Sequence, residues 1–579
     1  MQLAPCPKGY TSDQDKAVTP EETVARAKAA FSGSGRSILA ESRRIDTGRL
    51  GIPVFVSMAG PDAREIMPTR KQMGKGASPA QAEASGLMEL VERYSFFAFW
   101  NDPANFTSAT WSQAEERFSN LLPLPRMLQS VGEDLGEDKA RQVLDLLAWR
   151  FCPALDVAMG QEVTVPLDWF KTLNEFNGSC AGNTTTEAVF QGACELVERH
   201  VCAVIDREHT ETPTIDPASL QDPVLKGLLA KFRDNGIRVL LKDFTLSMPV
   251  PTVAAICMDP VTFPGLSEIV FTAGTAASPA KAAIRALTEV AQLAGDFETG
   301  AVYEASGLSK FADWSEAAWL EKGPMVPLDS LPNIEREDML DELKLLAQGL
   351  DSQGYQLLAV ETSQPELGLS AAYTFVPGFG FRERDLHASL GLFTGRKLAE
   401  DVDPVLAQAG LGVLEDIYPS AHFTPFFQGL LALRMGDPLA ALEHFARAEP
   451  LQPDADSKGL AAFYQAHALQ YLEDWEAMLP HLDRAVTACP EVKEYFNLRG
   501  VAKFKLQRYT IAAEDFARAL DLDRGSAMDL ANLGICHKFM GRHESAKDYL
   551  SSALELDPSL EFARNHLEEL TDAQNFDGK

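Results

Sequence analysis

The stretch NGSCAGNTTTEAVFQGACELVERHVCAVIDRE, residues 177–208, decides how the N-terminal part of the chain is read. Its apolar residues recur at helical spacing, so 186–207 is expected as one long helix. Gln191, Glu195 and Glu198 stand at i, i+4 and i+7, which puts them on one helical face. Asn183 lies four residues before Glu187, and Glu187 eight before Glu195, so the stripe reaches back to the helix start. A solvated face usually mixes lysines among its glutamates, and this stripe has none.

The same skeleton occurs twice more. GKGASPAQAEASGLMELVERYSFFAFW (74–100) carries Ser85, Glu89 and Glu92, and FTAGTAASPAKAAIRALTEVAQLAG (271–295) carries Arg285, Glu289 and Gln292. Helices are expected over 78–100 and 279–299. Ser78-Pro79 and Ser278-Pro279 each supply an N-cap followed by proline at the first helical position. Gly74-Lys75-Gly76 is not a phosphate-binding P-loop, because the upstream glycine and the following Ser/Thr are missing. Arg93 lies four residues after Glu89, where a plain structural ion pair is an adequate reading. Taken together, the three sets put carboxylates on several helices. Converging carboxylates repel unless cations neutralise them, so the pattern points to metal ions and, with arginines nearby, to metal-bound phosphates.

Short β-branched runs lie between these helices, at 51–60, 237–245, 251–259, 268–276, 355–363 and 371–379, each bounded by Gly, Pro or Asp. Strands mixed with long helices imply an α+β or α/β catalytic domain over residues 1–400. Beyond it the grammar changes. LAALEHFARAEPLQP, EAMLPHLDRAVTACP, TIAAEDFARALDLDR and ESAKDYLSSALELDP align through Ala448, Ala485, Ala519 and Ala553, spaced 37, 34 and 34 residues. This pattern resembles tetratricopeptide (TPR) repeats. An all-α solenoid of about four helical hairpins is therefore expected over 423–570, after a linker at 401–422 and before a tail at 571–579. Such a solenoid offers a surface for a protein or peptide partner. Its plainer alternative is a packing or oligomerisation module.

Composition narrows the function classes. The chain has 579 residues, 46% of them apolar, and 83 acidic against 52 basic residues for a net charge of −31. That field disfavours nucleic acid and anionic membrane as partners. No apolar run is long enough to span a membrane, and the N-terminal residues lack a secretory pattern. The eight cysteines form no CxxC pair, which suits reduced core residues of a cytoplasmic protein.

GKG…SxxxExxER, NGxxAGN…E…ExxER, RALTEVAQ and the late VPGF together resemble the YcaO family across roughly residues 8–400. The resemblance implies an ATP-binding domain without a P-loop. Its Mg2+ would be held by helix glutamates, and it would activate a peptide amide by phosphorylating the amide oxygen. It assigns nucleotide contacts to Lys16, Thr23, Ser85, Glu89, Asn183, Glu187, Arg199, Arg285 and Glu289. It assigns Mg2+ to Glu89, Glu92, Glu195, Glu198 and Glu289, and charge stabilisation during phosphoryl transfer to Arg199 and Arg285. His200 stands where many relatives have Asp, and is read as a bystander. The implied activity is thioamide formation, or an accessory role in ribosomal-protein methylthiolation with a sulfur-donor or methylthiotransferase partner. A homodimer is also implied. Azoline formation is disfavoured, because the chain ends in NFDGK and not in a proline-rich tail. The alternative from another class is a non-catalytic adaptor whose repeats are the working surface.

Overall fold

The computed structural model describes residues 1–46, 49–264, 267–294, 311, 313–382, 384 and 387–577. Residues 295–299 of the third expected helix lie outside them. The chain divides into two compact units, 1–137 with 148–388, and 138–147 with 389–579.

Three sheets build the first unit. β1 (Leu39–Arg44), β2 (Val54–Ala59) and β3 (Lys71–Lys75) form an antiparallel sheet in that order. β4 (Thr107–Ala109), β5 (Trp149–Asp156), β13 (Leu358–Glu361), β14 (Ser370–Phe375) and β7 (Ser179–Gly182) form the second, with β6 (Gln161–Pro166) also paired to β5. β11 (Val270–Thr275), β10 (Thr252–Met258), β9 (Arg238–Asp243), β8 (Thr214–Ile215) and β12 (Met325–Val326) form the third.

Each sheet feeds one carboxylate helix. β3 leads into Pro79–Asn101, β7 into Thr185–Glu208 and β11 into Pro279–Ala294. The three turns use the same device. The carbonyl of Ser78, Thr184 or Ser278 accepts from the backbone N–H four residues on (Ala82, Ala188 and Ala282), each at 3.0 Å. The Ser78 hydroxyl also accepts from Gln81 N at 3.2 Å, and the Thr184 hydroxyl from Glu187 N at 3.1 Å, as N-caps should. Strand and helix approach so closely that a Cβ on Gly74 would sit 2.1 Å from the Ala82 carbonyl oxygen; one on Gly274 would sit 2.3 Å from that of Ala282. Only glycine fits there.

Each helix buries its apolar face in a separate core cluster. Leu87, Leu90 and Val91 pack with Ala27, Phe31 and Ala59; Val189, Leu196 and Val201 with Ile256 and Phe271; Ile284, Leu287 and Val290 with Phe232 and Val253. Each such side chain contributes on the order of 1.5–3 kcal/mol, which offsets the cost of gathering like charges on the opposite faces.

The second unit is helical. Four hairpins pair Phe423–Arg434 with Pro438–Ala448, Ala455–Tyr471 with Trp475–Ala488, Lys493–Lys505 with Tyr509–Leu522, and Ala527–Phe539 with His543–Leu556. The helix Glu561–Asp577 packs after them. Ala448, Ala485, Ala519 and Ala553 are all fully buried at the helix contacts. Residues 401–422, expected above as a linker, instead contain the helix Pro404–Ile417, capped by Asp403 and burying Ala407, Leu411 and Leu414. The two units part after Ala388, twelve residues before the expected domain end at 400. The expected tail from 571 continues the last helix to Asp577.

Candidate nucleotide and metal site

The polar faces of the three helices line one cavity of about 300 Å3 in the first unit. Every residue that the resemblance assigns to nucleotide or Mg2+ borders it: Lys16, Thr23, Ser85, Glu89, Glu92, Asn183, Glu187, Glu195, Glu198, Arg199, Arg285 and Glu289. Gln191 and Gln292, the remaining members of the repeated skeleton, do so too.

Six glutamates and five basic residues (Lys16, Lys75, Arg93, Arg199 and Arg285) therefore share the wall. Each carboxylate has its own partner. Glu89 accepts from Met73 N at 3.1 Å and faces Arg93 at 3.9 Å. Glu92 accepts from the Ser179 hydroxyl at 2.7 Å and pairs with Arg93 at 3.2 Å. Glu195 accepts from Arg199 Nε at 2.9 Å, Glu198 from Thr275 N at 3.0 Å, and Glu289 pairs with Lys75. Glu187 accepts from Ala17 N at 2.9 Å and from Asn183 at 3.2 Å, while Lys16 Nζ lies 3.8 Å away. Asn183 in turn donates to the Thr23 hydroxyl at 3.1 Å. That ties the helix Pro20–Gly33 to the site.

Burial sets the electrostatics. It pushes Glu92 up to about 8; Glu195 and Glu89 add to the effect and Arg93 opposes it. Burial also raises Glu89 and Glu198 above the ordinary carboxylate range, against Arg93 and Arg285 respectively. It works on Glu195 as well, but there Arg199 and Arg93 outweigh it and the group stays low. Lys75 is pushed down to about 8 by burial and by Arg285. A set of half-buried carboxylates with raised affinity for protons is one that a cation would discharge.

The donor set fits nucleotide phosphates and Mg2+. Carboxylate oxygens are the hard ligands Mg2+ takes, and the guanidinium groups suit phosphate oxygens. Two buried atoms of the wall, Arg285 Nε and Gln292 Oε1, have no hydrogen-bond partner among the described residues. A buried unpaired donor and acceptor cost free energy that a polar ligand in the cavity would offset. Among the described residues, the group of acidic and thiol ligand atoms lying within 4.8 Å of one another is Asp456, Cys489 and Glu491, in the repeats.

Sequence reasoning did not assign Lys75, Arg93, Gln14 and Gln81 to the site, and all four line it. Lys75 had a signal in Gly-Lys-Gly just before a carboxylate helix. Arg93 had one in the Glu-Arg pair repeated at Glu198-Arg199. His200 does not line the cavity. It stacks on Phe379 at 4.3 Å, and its Nδ1 accepts from Gly380 N at 3.1 Å. Burial lowers it to about 4, so it packs as a neutral ring.

Comparison with known proteins identifies the family. The family model described as YcaO cyclodehydratase, ATP- and Mg2+-binding, matches residues 73–380, and a tetratricopeptide repeat model matches 530–560. An uncharacterized protein from the tfuA 3′ region of Rhizobium leguminosarum bv. trifolii is 26% identical over 66% of this chain and 93% of its own length. The ribosomal protein S12 methylthiotransferase accessory factor YcaO of Escherichia coli (strain K12) is 28% identical over 32% of this chain and 35% of its own. A heterocyclase solved in complex with substrate and cofactor shares the fold with a TM-score of 0.54 at 21% identity, covering 66% of this chain and 54% of that one. Among the described residues no helix is long and apolar enough to cross a membrane. With more than half the chain matched, and that match spanning all three carboxylate helices, the protein belongs to the YcaO family of ATP- and Mg2+-binding proteins and carries a tetratricopeptide repeat near its C-terminus.

Proposed function

We propose that this chain activates a backbone amide of a peptide or protein by ATP-dependent phosphorylation of the amide oxygen, for thioamidation or as an accessory factor in ribosomal-protein methylthiolation. The observation that carries the reading is the single cavity in which three helices from three sheets gather six carboxylates and three arginines, with Lys75 from β3 and Lys16 from the N-terminal arm beside them. An amide is a poor electrophile with a poor oxygen leaving group. Once a nucleophile such as sulfide or a thiolate has added, phosphate leaves far more readily than hydroxide. Glu89, Glu92, Glu195, Glu198 and Glu289 would hold Mg2+, which when bound neutralises charge on the transferring phosphoryl group. Arg199 and Arg285 would stabilise charge developing on phosphate oxygens. Lys16, Thr23, Ser85, Asn183 and Glu187 would orient the nucleotide. The TPR repeats would hold the substrate or a sulfur-donor partner and raise its local concentration. A homodimer and a cytoplasmic setting belong to the same proposal.

Titration of MgATP into wild type and into Glu195→Ala/Glu198→Ala tests the site. Saturable Mg2+-dependent binding that the double variant loses supports it. No binding by folded wild type would move the weight to a non-catalytic adaptor. The reaction is then read by mass on candidate peptides. Exchange of oxygen for sulfur supports thioamidation, whereas loss of water would assign the cyclodehydration that the family description prints.

A further inference from the structure

The chain enters the site by an arm, residues 8–17, that closes on itself. Tyr10 N donates to the Lys16 carbonyl at 3.1 Å and Lys16 N to the Tyr10 carbonyl at 3.0 Å. A Cβ on Gly9 would lie 2.3 Å from the Ala17 carbonyl oxygen, so only glycine lets the loop shut. Gln14 and Lys16 of this loop border the cavity, and Asp15 between them turns the other way.

Asp15 meets a buried ion network. Its carboxylate lies 2.6 Å from Lys281 Nζ and 3.0 Å from Lys8 Nζ. Lys281 also pairs with Glu335, and Lys8 with Glu342 at 2.6 Å. The side chains of Asp15, Lys8 and Lys281 are 6, 5 and 10% exposed. Lys281 stands one helical turn before Arg285 and two before Glu289 on the third carboxylate helix. A narrow space of about 30 Å3, bordered by Asp15, Lys16, Lys281 and Arg285, runs between network and site. Burial works against the Lys281 cation, yet the hydrogen bonds to Asp15 and Glu335 hold its pKa above the usual lysine range. Buried charges of this kind are weak evidence for stability but strong constraints on geometry.

We propose that the Asp15–Lys281 ion pair is a latch that fixes the arm to the third carboxylate helix, so that Lys16 and Gln14 are held in register with Arg285 and Glu289. Asp15 and Lys281 are positioning residues; neither borders the main cavity. The inference rests on the ATP-site reading given above.

The test measures two quantities on the full chain: amide hydrogen exchange over residues 8–17 without nucleotide, and MgATP affinity. Lys281→Met is compared with the charge-free pair Asp15→Asn/Lys281→Met, which leaves no lone buried charge, and with Lys281→Arg. The latch predicts faster exchange in the arm and affinity weaker by roughly tenfold or more in the first two, with most of it recovered in Lys281→Arg. Unchanged exchange in folded variants overturns the latch. So does faster exchange with unchanged affinity, which would make the network purely structural. If wild type binds no MgATP, the ATP-site reading fails while the exchange data still judge whether the pair holds the arm.

Discussion

The two units use helices and small residues in opposite ways. In the first, Gly74 and Gly274 draw helix onto strand, while the outward faces of the same helices converge carboxylates on a cavity. In the second, small residues close the space between helices. A Cβ on Gly500 would lie 2.8 Å from the Phe516 ring, and one on Gly534 would lie 2.9 Å from Leu550, sixteen residues on in both cases. There the ion pairs are mostly peripheral, such as Arg508 with Glu476 at 2.8 Å, both side chains well exposed. Close approach therefore leaves a charged hollow where three different sheets feed the helices, and a sealed core where hairpins stack on copies of themselves. The first arrangement stores electrostatic cost that a ligand can relieve; in the second the buried Asp515 is already matched by Arg499 and Lys503, each at 2.7 Å.

That contrast can be challenged directly. The largest effect is expected from Glu195→Ala/Glu198→Ala, which should cut MgATP-dependent turnover by roughly 100-fold or more, while Glu198→Gln keeps or raises Tm by removing a half-buried charge. A steep loss of Tm in Glu198→Gln would show that the carboxylate is structural. Next in size, Gly500→Leu should destabilise the repeat unit by about 2–3 kcal/mol in urea melts and leave the MgATP Kd unchanged. A shifted Kd would mean the units are energetically coupled.

The pH dependence should be of intermediate size. Glu89, Glu92 and Glu198 have folded pKa values raised above the unfolded value, Glu92 to about 8. Such groups contribute stability fully present below about pH 4.5 and lost as pH climbs through the folded pKa. The ligand-free first unit should thus lose stability between pH 5 and 8, by about 1.4 kcal/mol per pH unit at most for each of these groups. MgATP binding near pH 7 should release protons, visible as a calorimetric enthalpy that varies with buffer ionisation. Glu195, held low, titrates below this window and does not reverse the sign. The repeat unit should show no such loss over the same range. The smallest effect is expected from Arg508→Ala, under about 0.5 kcal/mol and silent in nucleotide binding. A larger change would make that exposed pair part of a partner surface.

The carboxylate helices were legible because their signals are local: Ser-Pro caps, i, i+4, i+7 spacing, and a stripe without lysine. The repeat was legible because a 34-residue period is itself a sequence property. β3 and β7 escaped, since KQMGK has no β-branched residue and SCAG is four small residues. Their strand character comes from the sheets they join. The helix Pro404–Ile417 has its start signal in Asp403-Pro404, but its place between two regions of different grammar makes it read as a linker.

The chain's residue order alone was enough to specify which side chains share a helical face, where those helices start, that the C-terminal part repeats, and that its charge repels polyanions. Which faces meet was a tertiary matter. Lys75 finds Glu289, Arg93 finds Ser179, and Asp15 finds Lys281 across 214, 86 and 266 residues of sequence, because three separate sheets and the N-terminal arm bring distant segments together. Periodicity reports the neighbours of a residue along its own element. Burial, and the pKa shifts and unpaired atoms that follow from it, depends on what the rest of the fold packs against that element.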